Sequence, residues 1–344
     1  MPSVSSPTHP HSTDPSVSGP TGPIDVVGVD VGGTKTLAAL VRVTEGTPEV
    51  LDTELAPSGA GTDGVLGGIV AAVRALIDRQ PVAPTALGAG LAGFVDLHGV
   101  VRHAPNAAGL VGHDVAALLR RELGLDCVVD NDANCVAVSA QRLLSPRPEH
   151  LVAVTLGTGI GGGIISDGRL VRGGRGFAGE PGHMVVDPSG PACPCGQRGC
   201  WERYASGSGL GWLAQRAIDE GRLPADAVRG ADGTMRGEDV VTALGSGAGV
   251  DAVFDEFVGF VALGIANVIA LLDPQVVVIG GGISGLGDRL LDPVLARLRS
   301  DHAAVMVEPG VEVAIAPGGP RSGAMGAAVL AAELGSNGSP APGA

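Results

Sequence analysis

Short runs of aliphatic and β-branched residues alternate with longer stretches whose apolar positions recur at helical spacing, from about residue 24 to residue 334. The runs predict strands at 24–33, 36–43, 87–95, 126–132, 151–159, 161–174, 276–282 and 311–316. The helical spacing predicts helices at 62–79, 113–123, 133–143, 206–220, 250–272, 285–299 and 322–334. Strands interleaved with helices place the chain in the α/β class. In "GGGIISDGRLVRGG" (161–174) the apolar positions repeat every second residue around Asp167-Gly168, the mark of a hairpin. The longest apolar run, 257–272, has 16 residues, contains Asn267 and stops at Asp273-Pro274. A membrane-spanning helix takes ~20 apolar residues, so this run reads as a buried core or interface helix.

The pattern fades at both ends. Residues 1–23 are rich in Ser, Pro, Thr and His, residues 335–344 read "GSNGSPAPGA", and both are expected to be disordered tails. Residues 219–249 read as a mobile loop region around one short helix. There is also an internal echo. "VVGVDVGGTKT" (26–36) and "LVAVTLGTGIGGG" (151–163) are both apolar strands running into a Gly/Thr turn, and "VVVIGGGIS" (276–284) is a third glycine-rich strand end. Three such turns are expected to converge on one ligand from two domains.

Composition narrows the partners. A chain of 344 residues can hold two domains with substantial cores, and its 57 glycines fall mostly inside apolar runs, where they mark tight turns or close approach to a ligand. The net charge of −14 argues against nucleic acid or an anionic membrane as partner. A phosphate ligand would therefore rest on backbone dipoles, a metal ion or a few placed cations. Residues 1–12 show neither a basic segment nor an apolar one, so no signal peptide is expected. With that reading and an odd number of cysteines, 5, the cytoplasm is the expected compartment.

"GTGIGG" (157–162) fits the dinucleotide fingerprint in letters only, because a hairpin rather than a helix follows it. What remains is a strand–turn–strand phosphate loop. In "DVGGTKT" the backbone N–H groups of Gly32 and Gly33 can approach phosphate oxygens, Thr34 adds a hydroxyl and Lys35 a charge. Asp30 at the strand end can hold Mg²⁺ directly or through water. The alternative for one such loop is a glycine-rich hairpin with a solvated lysine. "VVDNDANCVAVSA" (128–140) is a strand entering a helix, with Asn131 and Asp132 at the junction. A carboxylate there is stabilised as the anion and can accept a hydroxyl proton, although an ordinary capping aspartate would look the same.

Three of the five cysteines crowd into "CPCGQRGC" (193–200), shortly after His183. His183, Cys193, Cys195 and Cys200 supply one imidazole and three thiolates, the donor set of a closed structural zinc site. Disulfides would leave an odd thiol, and the Cys spacings do not fit a redox Cys-x-x-Cys pair. Zinc would also pin two flanking carboxylates, Glu180 and Glu202, in positions suited to a polyol pocket.

In order along the chain, "DVGGTKT" (30–36), "APN" (104–106), "NDAN" (131–134), "LGTGIGGG" (156–163), "GEPGHMVVDPSGPACPCGQRGCWERYAS" (179–206) and "LLDPQVVVIGGGIS" (271–284) resemble the motifs of the ROK family of bacterial sugar kinases and sugar-responsive repressors. The resemblance implies a two-domain, actin-like (ribonuclease H-like) ATPase fold with the active site in the interdomain cleft. On that basis the small domain is expected at 24–130 plus 317–334 and the large one, with the zinc segment 183–200, at 131–316. It also implies ATP- and Mg²⁺-dependent phosphorylation of a hexose, usually at the 6-hydroxyl, by a homodimer or tetramer. Asp132 matches the family's catalytic base, and Asn106, Asn131, Glu180, His183 and Glu202 its sugar contacts. Asp30, Gly32, Gly33, Thr34, Gly157, Thr158, Gly159 and the turn Gly280, Gly281, Gly282 match the nucleotide side. Family repressors carry a winged helix-turn-helix ahead of the kinase-like part, whereas 23 Pro/Ser-rich residues precede the first strand here, which favours the kinase. Glucose is the expected substrate. Ala92-Gly93 replaces the family's more usual Pro-Gly turn beside the sugar, which keeps N-acetylglucosamine and N-acetylmannosamine open.

Overall fold

Two five-stranded sheets wound in the same way make up the scaffold. The structure, a computed structural model, describes residues 22–334 except residues 60, 106, 229, 231–233 and 302–309. Both expected tails thus lie almost wholly outside the described residues. In the first sheet β1 (Ile24–Val31), β2 (Lys35–Thr44) and β3 (Thr47–Pro57) form an antiparallel meander. After α1 (Gly61–Ile77), β4 (Ala86–Leu91) joins the other side of β1 in parallel. A small hairpin, β5 (Phe94–Val95) with β6 (Val101–His103), and α2 (Val115–Leu123) lead to β7 (Asp126–Asn131), parallel to β4.

The chain enters the second sheet through α3 (Asp132–Leu143). There β8 (Leu151–Leu156), β9 (Ile160–Ser166) and β10 (Arg169–Leu170) repeat the meander. Next come α4 (Glu202–Ala205), α5 (Gly207–Asp219), α6 (Gly237–Ala243) and α7 (Ala248–Leu272). Strand β11 (Val276–Gly280) adds in parallel to β8; after α8 (Asp288–Asp301), β12 (Glu312–Ile315) adds to β11. Helix α9 (Ser322–Leu334) then returns to the first sheet, against β1 and β4. The orders β3-β2-β1-β4-β7 and β10-β9-β8-β11-β12 are the same topology twice, so the echo between 26–36 and 151–163 puts two glycine turns at equivalent corners.

Three apolar clusters glue five layers. Helices α1 and α2 cover the outer face of the first sheet, and α5, α7 and α8 that of the second. Between the sheets lie α3 and α9, whose alanines meet Val26, Val41, Leu151 and Val278. The helices approach closely because the contact points have no side chain. A Cβ on Gly28 or Gly88 would collide with the Ala324 or Ala327 carbonyl of α9, and one on Gly326 with the Cys135 carbonyl of α3. Overpacking of that kind costs ~1–3 kcal/mol or more.

The long apolar helix α7 is long and apolar enough to cross a membrane by length and composition, but one face, including Phe257, Val261 and Ile265, is buried in the second core. It ends at Asp273, in the left-handed region (φ 42°), just before Pro274. Strand β3 escaped the hydrophobic pattern. It is an edge strand with Glu49, Asp52 and Glu54 spaced along it, two of them held by Arg79 from beyond α1. The expected mobile region 219–249 differs too: its helix is α6, toward its end, and Leu223, Val228 and Val240 are buried in the second core.

Candidate active site

Asp132 opens α3 directly off the end of β7. Asn131 caps the helix, its Oδ1 accepting from the N–H groups of Ala133 (2.8 Å) and Asn134 (3.1 Å). Its Nδ2 donates to the Gly93 carbonyl at 3.0 Å, tying the cap to the β5–β6 hairpin. Asn131 is thus largely committed to structure, with one N–H left for a ligand. Asp132 Oδ1 accepts from Ala133 N–H at 2.9 Å. Burial nonetheless pushes its carboxyl above the ordinary range, with backbone hydrogen bonds opposing. The sequence position had pointed to an anion stabilised by the helix terminus, but burial works against that and makes the group a stronger base.

The knuckle from His183 to Cys200 is folded by glycines in the left-handed region, Gly196 (φ 94°) and Gly199 (φ 65°). Val185 bridges Cys200, and Cys193 N–H donates to the Gln197 carbonyl at 2.8 Å, closing the turn. One donor atom each from His183, Cys193, Cys195 and Cys200 lies within 4.8 Å of the others. Cys195 Sγ is 3.5 Å from Cys200 Sγ, and Cys193 Sγ 3.9 Å from His183 Nδ1. Sulfurs about 2.3 Å from a tetrahedral zinc sit ~3.8 Å apart, so the set fits that ion. Burial, with Glu202 as acceptor, pushes the Cys193 thiol well up, a penalty that a bound cation would reverse.

A chain poor in aromatics spends its best ones here. Trp201 donates from Nε1 to the Phe260 carbonyl at 2.7 Å and its ring lies over Gly264, where any Cβ would collide with it. Tyr204, the chain's one tyrosine, stacks on Phe260 (centroids 4.2 Å) and donates to Asp187 Oδ2 at 2.8 Å. The knuckle is therefore seated on α7, and Glu202, next to Trp201 in the sequence, starts from an anchored backbone. Cys193 Sγ reaches Glu202 Oε1 at 3.2 Å, and a Cβ on Gly159 would fall 2.8 Å from Glu202 Oε2. Gly159 is thus required for the close approach of Glu202 to the loop 157–159.

That loop meets another. The Gly157 carbonyl accepts from Gly207 N–H (2.8 Å) and the Thr158 carbonyl from Ser208 N–H (3.3 Å), both at the head of α5. Gly281 (φ 82°) packs against the Leu156 backbone, so two of the three expected glycine turns are neighbours. Gly281 and Gly282 are exposed there, whereas Gly280 is buried at the end of β11. The third turn, Gly32 to Lys35, is exposed at the corner of the other sheet. Ser58, invisible as a site residue in the sequence, braces it: Oγ donates to the Gly32 carbonyl at 2.7 Å and its N–H to the Thr34 carbonyl at 3.1 Å. Asn106 lies outside the described residues.

Carboxylates link the two halves. Burial and then the Asp132 charge push Asp30 from 3.8 up to about 7. Burial, Asp132 and Glu202 likewise raise Glu180 to about 7. Because folded Asp30 holds its proton more tightly than the unfolded chain does, it favours the fold fully below pH 3.8, and that contribution is lost as pH rises to about 7. Asp30→Asn is therefore expected to raise the thermal midpoint at pH 8 by several degrees and to leave it unchanged near pH 4. Equal midpoint shifts at both pH values, read by scanning calorimetry, would place the Asp30 carboxylate in a relaxed, solvated setting.

Residues 26–334 match the model of the ROK family. The chain belongs to the ROK family. It is 34% identical to a glucokinase of Streptomyces coelicolor over 316 residues, 89% of this chain and 97% of that one. It is 33% identical over 321 residues to an N-acetylmannosamine kinase of Citrobacter koseri, covering 90% and 99% of the two chains. Its structure is similar to that of a ROK glucokinase from Streptomyces griseus, solved in complex with glucose and AMPPNP. The TM-score is 0.77 at 33% identity, covering 90% of this chain and 99% of that one. ROK glucokinases have the two-domain actin-like ATPase fold, and the two like-wound sheets here are its signature.

Proposed function

We propose that this ROK protein transfers the γ-phosphoryl group of ATP to the 6-hydroxyl of a hexose, with glucose as substrate and Asp132 as general base. The observation that carries this is the placing of Asp132 at the head of α3, electrostatically coupled to Asp30 on the β1 corner and to Glu180 beside the knuckle. The hydroxyl oxygen attacks the γ-phosphorus in line, its proton passes to Asp132, and positioning supplies most of the acceleration. Glu180, Glu202, the remaining N–H of Asn131 and, by resemblance, Asn106 hold the sugar hydroxyls. His183 turns Nδ1 toward Cys193, which leaves Nε2 for the sugar.

The nucleotide lies between Gly32–Lys35 on one sheet and Gly157, Thr158, Gly159, Gly281 and Gly282 on the other, with Gly280 shaping the turn from within. Mg²⁺ arriving with ATP would neutralise phosphate charge, and Asp30 is the carboxylate to hold it. Zinc at His183, Cys193, Cys195 and Cys200 fixes the pocket wall without an open coordination position. The domains divide at 24–130 with 317–334 against 131–316, and the enzyme works in the cytoplasm as a homodimer or tetramer.

An N-acetylmannosamine kinase is the second reading, favoured by the near-complete match to such an enzyme. Both readings meet one test: ADP release by purified protein with Mg-ATP across glucose, N-acetylglucosamine, N-acetylmannosamine, mannose, fructose and allose. Glucose as clear winner supports the first reading and N-acetylmannosamine the second. Silence from folded, zinc-loaded protein would sink both.

A further inference from the structure

The segment that carries Glu180 leaves β10 in the second sheet and returns to β9 at Gly179 and Pro181, which pack on Gly162, but between these points it reaches across to the first sheet. Arg172 Nε donates to Asp130 Oδ2 at 2.7 Å, two residues before Asp132. Asp130 is buried, 6% exposed, and its Oδ1 accepts from Asn134 Nδ2 and from Asn131 N–H, each at 2.8 Å. The Arg172 carbonyl accepts from Ala178 N–H at 3.1 Å, which closes the loop between Arg172 and Glu180 on itself. Farther along, Gly176 (φ 93°) lies against the β5 backbone, where a Cβ would come within 2.6 Å of the Val95 carbonyl. Phe177 packs on Phe94 with centroids 5.3 Å apart.

We propose that Arg172 is a positioning residue, which locks the Glu180 loop to the β7–α3 junction so that sugar-holding Glu180 and the base Asp132 keep one fixed relation. The inference rests on the kinase reading and names a residue that acts through others. An exposed ion pair would do little. This one differs because the carboxylate is buried, its other acceptor sites are taken by neutral donors, and removing the guanidinium leaves an unpaired buried charge beside the base. The two ends of Arg172 also act on different targets: the side chain grips the junction while the carbonyl shapes the loop. A small displacement of a reacting group is enough to cost ~100-fold in rate.

The test compares wild type, Arg172→Lys and Arg172→Ala in steady-state kinetics, thermal unfolding and amide hydrogen exchange. Arg172→Ala is expected to lower kcat/KM for the sugar by about 10–100-fold, leave KM for ATP unchanged, lower the thermal midpoint, and speed exchange across 173–180 by more than that global loss accounts for. Arg172→Lys, which keeps the charge, is expected to recover part of the loss. Wild-type sugar kinetics in Arg172→Ala, or unchanged exchange in 173–180, overturns the proposal. A wild-type enzyme silent on every sugar removes the kinase reading instead, and exchange still decides whether Arg172 holds the loop.

Discussion

Asp132→Asn is expected to lower kcat by about 10²–10⁴-fold, the usual contribution of a positioned general base, while sugar affinity stays close to wild type. The amide keeps an oxygen for the Ala133 N–H, and the cap from Asn131 to Ala133 and Asn134 is untouched, so the helix start should survive. What disappears is the group able to take the hydroxyl proton. The same change removes a carboxylate that burial disfavours and that repels Asp30 and Glu180, so the variant should unfold at the same temperature or higher. ADP-release kinetics, calorimetric sugar binding and thermal unfolding check the three parts. Turnover at the wild-type rate would remove Asp132 from the base role.

Cys195→Ser is expected to strip the zinc and weaken sugar binding together. Cys195 is exposed, so the substitution disturbs no core packing, yet it deletes one of four donors. Structural zinc sites are worth about 10–16 kcal/mol of binding free energy at neutral pH, and a three-donor remnant holds far less. The loss should remain local, because Trp201 and Tyr204 anchor the far end of the knuckle on α7 independently of the metal. Glu180, His183 and Glu202 would lose their fixed spacing while the rest of the chain stays folded. Elemental analysis with sugar titration is decisive: stoichiometric zinc and full affinity in the variant would end the zinc assignment.

The helices were the most legible part of the sequence, since α9 at 322–334 and the run through α7 are set by apolar spacing that local residues alone supply. The hairpin at Asp167-Gly168 was legible for a similar reason, both residues taking positive φ (49° and 72°). Strand β3 was hidden because an edge strand satisfies charges rather than burying a run of apolar side chains. The His/Cys cluster could be read from residue chemistry, because few arrangements bring one His and three Cys so close. The braces were not legible. Ser58 and Arg172 act through partners 26 and 42 residues away, and nothing in their own neighbourhoods marks them. Nor could the sequence show that burial outweighs the helix terminus at Asp132.

Helix α9 carries a consequence for synthesis. It occupies the middle layer, against β1 and β4 and crossed by α3, but it is made almost three hundred residues after Gly28, which it touches. A ribosome therefore releases the first sheet with Val26, Ala39 and Val41 lacking their α9 cover until residues 322–334 are made. Contacts of such sequence separation form late, and exposed apolar sheet in the meantime invites association. The first half of this protein waits on residues 322–334, which makes the emergence of α9 the event that closes its middle layer.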